Sequence, residues 1–151
     1  MAALELGLIV GAKPASEIKR VADFGLSTCQ VVHWDPESLT QQDAERLLEE
    51  SKKRGVEITS FWCGYPGPAV WDFTEGPATI GLVPPLYRTE RVRALKAGAY
   101  FAAQLGLPSI TTHVGFLPEN PADPLFGDTL SALQDVVRHC ADLSLEFWFE
   151  T

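Results

Sequence analysis

At 151 residues, the chain is long enough for one domain with a sizeable hydrophobic core. Its composition, 46% hydrophobic and 21% charged residues, is that of a globular protein and excludes a disordered chain. The formal net charge of -8 would repel phosphate backbones and anionic lipids, so we expect no binding to nucleic acid or to a membrane surface.

The cysteines predict a reducing compartment. Cys29, Cys63 and Cys140 are too few and too scattered for a disulfide framework, and no CxxC pair is present. The first residues lack a basic segment and include Glu5, so they do not resemble a signal peptide. No apolar run is long enough to cross a membrane. We therefore expect a cytoplasmic protein.

Strands and helices alternate along the sequence. Short runs of apolar, β-branched and aromatic residues predict five strands, at 4–10, 28–34, 56–64, 109–116 and 145–151. The stretches between them predict four helices, at 15–25, 40–55, 88–106 and 129–143. Such an alternation is typical of βαβ units that form a parallel sheet.

Local signals mark the ends of these helices. Thr40 is a suitable N-cap for the second helix, which finishes with basic residues and Gly55. Asp128 is the expected N-cap of the fourth helix. Gly25 and Gly106 follow the first and third helices. They are suitable helix ends, because glycine takes the left-handed turn at low cost. The last helix-to-strand junction, ADLSLEF, lacks a glycine, so this weak internal repeat is imperfect.

Two architectures fit the alternation, a doubly wound sheet and a (β/α)₈ barrel. A Rossmann domain would need G-x-G-x-x-G after the first strand, where the sequence reads GLIVGAKPAS, and no P-loop occurs. A complete barrel takes about 250 residues. We therefore expect residues 1–151 to form a single, partial TIM-barrel domain, the N-terminal part of a longer protein. A natural stop codon directly after Thr151 would contradict that expectation.

Polar side chains occur near the carboxyl ends of the last two strands. Alternation places Glu150 and Trp148 on one face of the fifth strand, and Thr111 and His113 on one face of the fourth. In a barrel these faces point inward at the rim where active sites lie. Glu150 is then a metal ligand or a catalytic base, or else a strand-end acid that reaches water. His113 is a pocket residue or a hydrogen-bonded strand residue.

Aromatic residues accompany these polar groups. Trp34, Trp62 and Trp148 lie at or near strand ends, where indole rings could form the apolar wall of a sugar pocket, although core packing explains at least one of them equally well. Cys63 ends the third strand and is the fourth candidate substrate-binding residue. It has no identifiable base partner, so we do not expect it to act as a nucleophile.

Six stretches carry a family resemblance: LGLIVGAK, TCQVVHWDP, SFWCGYPGPAVWDF, TIGLVPPLYRTERVRALKAGAYFAAQLG, TTHVGFLPENP and FWFET. Together they resemble the xylose isomerase-like (β/α)₈ barrels, which include sugar and sugar phosphate isomerases and epimerases. The resemblance extends over essentially the whole chain but covers only the N-terminal half of the family's length.

The resemblance implies a chemistry and a cofactor. It implies proton transfer next to a carbonyl of a sugar or sugar phosphate, and one divalent cation, which is manganese, magnesium, cobalt or zinc. By the family pattern Glu150 is the first metal ligand and a catalytic glutamate, and His113 is the pocket histidine of the fourth strand and the second catalytic candidate. The family's remaining ligands, an Asp, a His and a second Glu, would lie beyond residue 151. We therefore expect this chain alone to bind metal weakly and to turn over no sugar.

Two other functions stay open. The unpaired edges of the first and last strands could pair with a second copy, which would give a homo-oligomeric half-barrel that binds or scaffolds without catalysis. The fold also has a DNA-repair branch that cleaves at abasic sites with a histidine-rich metal cluster. Cys63 stands where that branch would have a histidine, and the negative charge opposes DNA binding. A discrete dimer in solution would favour the half-barrel.

Overall fold

The computed structural model describes residues 4–151. Within them, five strands form one parallel sheet: β1 Gly7–Gly11, β2 Thr28–His33, β3 Glu57–Cys63, β4 Ser109–His113 and β5 Glu146–Glu150. Their order in the sheet is the order of the sequence, β1-β2-β3-β4-β5. A doubly wound sheet would reverse direction at a switch point, so the sequential order distinguishes the two architectures in favour of the barrel type.

Helices connect successive strands on one side of the sheet. They are α1 Ile18–Asp23, α2 Gln41–Arg54, α3 Gly76–Thr79, α4 Pro85–Gln104 and α5 Pro124–Asp142, with short 3-10 turns at Ala15–Glu17 and Pro36–Ser38. None of the helices in the described part of the chain is long and apolar enough to span a membrane. The described residues contain one more helix than the sequence predicted. The additional helix is α3, a single turn inside the long loop after β3.

The predicted ends of α2 are confirmed. The Thr40 hydroxyl accepts a hydrogen bond from the Asp43 amide at 3.2 Å, and the Asp43 carboxylate accepts one from the Thr40 amide at 3.0 Å, which together form a capping box. Gly55 ends the helix in the left-handed conformation, with a φ of 65°. At the junction without a glycine, Ser144 adopts the same conformation, with a φ of 59°.

The predicted starts of the last two long helices are wrong. The fourth predicted helix, α5, begins at Pro124, and the side chain of Asp123 caps it by accepting a hydrogen bond from a backbone amide at 2.8 Å. Asp128 therefore lies inside α5, where it pairs with Arg88 at 3.0 Å. The third predicted helix, α4, begins at Pro85 rather than at residue 88. In both cases a proline occupies the first helical position, where its missing N–H costs nothing.

The outer face of the sheet, the one covered by the helices, forms the hydrophobic core. Six of its strand side chains are at most 3% exposed: Val10, Cys29, Val31, Phe61, Cys63 and Ile110. Helix α4 approaches β3 closely at Gly98, since a Cβ built there would lie 2.2 Å from the Cys63 sulfur. The alternate side chains of the same strands point to the opposite, inner face, which no helix covers.

Candidate functional site

The inner face carries the polar and aromatic residues at the carboxyl ends of the strands. We define it by ten side chains: Ile9, Gln30, Val32, Trp34, Ser60, Trp62, Thr111, His113, Trp148 and Glu150. Strand register aligns them in rows, because Thr111 pairs with Trp148 and His113 pairs with Glu150 across β4 and β5. At the other end of the face, the Gln30 amide donates to the Ser60 hydroxyl at 2.8 Å.

An aromatic wall forms where β2 and β3 end. The rings of Trp34 and Trp62 meet edge to face with their centroids 5.0 Å apart, and Tyr65 meets Trp34 at 5.9 Å. With Trp71 from the loop after β3, and with Ile9, Gln30 and Val32, the two tryptophans line a hollow of about 210 Å³. The structure thus brings together two of the three tryptophans selected from the sequence.

His113, at the end of β4, lines a neighbouring hollow of about 270 Å³. Its Nδ1 accepts a hydrogen bond from the Gly115 amide at 3.0 Å, and the Trp71 ring packs edge-on against the imidazole with centroids 5.0 Å apart. Burial lowers the pKa of His113, and the negative charge of Glu150 opposes that shift in part. The imidazole is therefore biased toward its neutral form.

Glu150 lies beside His113 at the end of β5, where its backbone carbonyl accepts a hydrogen bond from the Val114 amide at 2.9 Å. Within residues 4–151 the exposed Glu150 carboxylate has no hydrogen-bond or ion-pair partner. The Trp148 indole lies on the same face and donates to Glu146 at 2.8 Å, toward the amino end of the strand. Trp148 does not line either hollow with the other aromatic residues.

Cys63 does not reach the inner face, contrary to expectation. Its side chain is fully buried between β3 and α4, because adjacent residues of a strand point to opposite sides and Trp62 takes the inner side. Burial also raises the pKa of the Cys63 thiol. Cys63 therefore belongs to the core and not to the set of pocket residues.

The residues present do not make a metal site on their own. In the described chain, no group of three or more His, Cys, Asp or Glu side chains is arranged to hold a metal ion. Glu150 offers one carboxylate. His113 offers at most one ring nitrogen, Nε2, because its Nδ1 accepts a hydrogen bond. Two metal ligands do not complete the coordination of a divalent cation such as magnesium, which takes about six.

Two residues near the site had not been selected from the sequence. Trp71 lies in the loop between β3 and α4, residues 64–84, and lines both hollows, whereas Arg91 on α4 donates hydrogen bonds to the backbone of that loop. The available signal was the length of that loop in the sequence, because a connection of more than about 12–15 residues without predicted secondary structure often carries function.

Comparison with known proteins gives a fold relationship. The sequence matches no protein-family model and no curated protein. Among solved structures, a xylose isomerase domain protein from Planctomyces limnophilus is 26% identical, with a TM-score of 0.89 over 99% of this chain and 54% of that chain.

More distant structures share the same fold. A D-tagatose 3-epimerase-like protein is 16% identical, with a TM-score of 0.68 over 97% of this chain and 53% of that chain. An AP endonuclease of family 2 from Brucella melitensis is 12% identical, with a TM-score of 0.61 over 95% of this chain and 55% of that chain. The chain spans about half the length of the solved structures that it matches, and it has the α/β fold of the xylose isomerase-like TIM barrels.

Proposed function

We propose that this chain forms one wall of the active site of an isomerase or epimerase that acts on a sugar or a sugar phosphate. The observation that carries the proposal is the position of the aromatic wall, His113 and Glu150. All lie on the inner face, at the carboxyl ends of parallel strands, the rim at which enzymes with this barrel architecture place their active sites. The fold shared with a D-tagatose 3-epimerase-like protein supports the same class.

Each group has a role in that chemistry. The rings of Trp34, Trp62 and Trp71 offer apolar surface on which the C–H face of a sugar can pack. Glu150 is the carboxylate that takes a proton from the carbon next to the substrate carbonyl. Return of the proton to the neighbouring carbon gives isomerisation, and return to the other side of the same carbon gives epimerisation. The second proton-transfer group would come from outside residues 4–151.

Glu150 is also a carboxylate at this rim that could serve a divalent cation. Its side chain is exposed and free of partners within the described chain. Because one carboxylate does not hold such an ion against water, the other ligands would come from elsewhere in the whole protein. We expect isothermal titration of this chain with manganese to give weak binding, and an aldose–ketose assay to give no turnover. Sub-micromolar binding or clear turnover would contradict this.

The proposal is tested by a pair of glutamate substitutions in the longest natural form of the protein. Glu150→Gln should lower kcat/KM for sugar interconversion by about 10²–10⁴-fold, because it removes the proton acceptor and keeps the shape. Glu146→Gln is the matched control, since Glu146 lies on the same strand face but binds Trp148. Equal activity of Glu150→Gln and wild type, or no interconversion of any aldose or ketose, would overturn the proposal.

A self-associating half-barrel is the second candidate function. Two observations favour it: Ile9 and Trp148 on the inner face are 66% and 53% exposed, and β1 and β5 each have one unpaired edge in the described sheet. Sedimentation equilibrium of the chain distinguishes the candidates, because a discrete dimer supports self-association.

Abasic-site cleavage has less support, since the net charge of -8 opposes DNA binding and likeness at 12% identity extends to the fold alone.

A further inference from the structure

Arg91 is a buried cation whose partners are all neutral. The side chain is 0% exposed, on the helix α4 that follows the long loop. Its guanidinium carbon lies 4.5 Å from the centroid of the Tyr65 ring and 4.7 Å from that of Tyr87. Within the described residues it has no carboxylate partner. Burying a charge costs free energy unless the charged group is hydrogen-bonded. The hydrogen bonds of the Arg91 guanidinium therefore have a structural role.

The guanidinium binds the loop of residues 64–84 at both ends. Nε donates to the Pro66 carbonyl at 3.0 Å, and Nη2 donates to the Pro68 carbonyl at 2.8 Å, near the start of the loop. Nη1 donates to the Gly81 carbonyl at 2.7 Å, near its end. The Gly81 amide in turn donates to the Tyr65 hydroxyl at 3.0 Å. Arg91 therefore fixes the separation of the two ends of the loop.

The far end of the loop packs directly on the end of β4. The Leu82 amide donates to the Val114 carbonyl at 2.8 Å. A Cβ added to Gly81 would lie 1.9 Å from the Val114 carbonyl carbon, and one added to Gly115 would lie 2.4 Å from the Ile80 oxygen. The backbones of the loop and of residues 114–115 are therefore in direct contact, so the position of the loop bears on where the Gly115 amide points.

The Gly115 amide selects one tautomer of His113. A ring nitrogen that accepts a hydrogen bond has no proton of its own, so Nδ1 is bare and the neutral imidazole carries its proton on Nε2. In this tautomer Nε2 is a donor, and within residues 4–151 it has no hydrogen-bond acceptor. Binding a metal through Nε2 would move the proton to Nδ1, where it would face the Gly115 N–H.

We propose that Arg91 is a positioning residue that, through the loop of residues 64–84 and the Gly115 amide, holds His113 as an Nε2–H donor for a substrate oxygen. His113 then donates a hydrogen bond to a hydroxyl or carbonyl oxygen and serves neither as metal ligand nor as general base. Only the identity of that oxygen rests on the proposed function; the tautomer and the part played by Arg91 do not.

Nitrogen NMR of the labelled chain measures the tautomer directly. Near pH 8, where imidazoles are mostly neutral, the long-range proton–nitrogen pattern of His113 should be that of a single Nε2–H form. Arg91→Lys keeps the charge but loses the guanidinium fork, so its His113 Nδ1 and Nε2 resonances should shift toward each other as both tautomers become populated. Arg93→Gln, on the same helix with an exposed guanidinium bound to Glu37, should keep the wild-type pattern.

Folding is checked on each variant by its amide spectrum. If Arg91→Lys does not fold, Tyr65→Phe removes the acceptor of the Gly81 amide and should shift the His113 resonances in the same direction. An Nδ1–H pattern in the wild-type chain would overturn the proposal. A wild-type pattern in a folded Arg91→Lys chain would also overturn it. If Arg91→Lys does not fold, a wild-type pattern in Tyr65→Phe would overturn it instead. Because no sugar or metal is present, failure here is distinct from a failure of the proposed enzymatic activity.

Discussion

The outer and inner faces of the sheet are made by alternate residues of the same strands, but they have opposite surroundings. On the outer face, Val31 and Ile110 are fully buried against the helices. On the inner face, Ile9 and Trp148 are 66% and 53% exposed, and Glu150 has no partner in the described chain. The difference indicates that the outer face supplies the stability of the described fold, whereas the inner face is free to serve binding and chemistry.

The largest expected contrast between the faces is in thiol reactivity. All three cysteines lie on the core side and are at most 1% exposed, and burial raises the pKa of Cys29 and of Cys140 to about 11. An Ile9→Cys thiol on the inner face should react with a disulfide reagent near pH 8 at least about a hundredfold faster, because it is accessible and ionises normally. The rate is followed by absorbance. A native cysteine that reacts as fast before unfolding would contradict the contrast.

Two isoleucines give a matched test of the stability difference. Ile110→Ala empties a fully buried outer position and should lower the free energy of unfolding by about 2–5 kcal/mol. Ile9→Ala makes the same chemical change on the inner face, where the side chain is 66% exposed, and should cost about 0.5 kcal/mol or less. Urea denaturation of both variants measures the two values. Equal losses would show that the inner face also contributes to the folded core.

A smaller effect tests whether the helix layer behind the outer face adds local stability. The Thr40 hydroxyl, then the Thr40 amide and Lys13, lower the pKa of Asp43 below 3.8, against an opposing effect of burial. Asp43→Asn weakens the capping box and should cost about 1 kcal/mol at neutral pH. Urea denaturation checks this value, with Glu45→Gln on the same helix as the control.

The pH dependence of that contribution has a definite sign. A lowered folded-state pKa means that unfolded Asp43 binds a proton more readily than folded Asp43 does. The stabilisation is therefore complete above the unfolded value near 3.8 and is lost as pH falls through the folded value. Repeating the denaturation below pH 3.8 should bring Asp43→Asn and wild type closer together. A constant difference over this range would contradict the linkage.

Local signals were reliable where a few neighbouring residues decide the structure. The N-cap at Thr40 and the helix end at Gly55 were both predicted, because side chain and backbone meet within one turn. The same type of signal failed for α5, since Asp123 and Asp128 are both plausible caps and Pro124 resembles a loop residue. What distinguishes them is that Asp128 pairs with Arg88 on another helix.

By itself, the sequence determined the order of strands and helices and the sorting of strand residues onto two faces, because both follow from short periodic patterns. Only the tertiary structure decided that Trp71 packs on His113 and that Arg91 lies buried beneath the loop of residues 64–84. The physical reason is that these contacts join residues far apart in the chain. They depend on how one loop folds over the end of β4, and no local pattern records that.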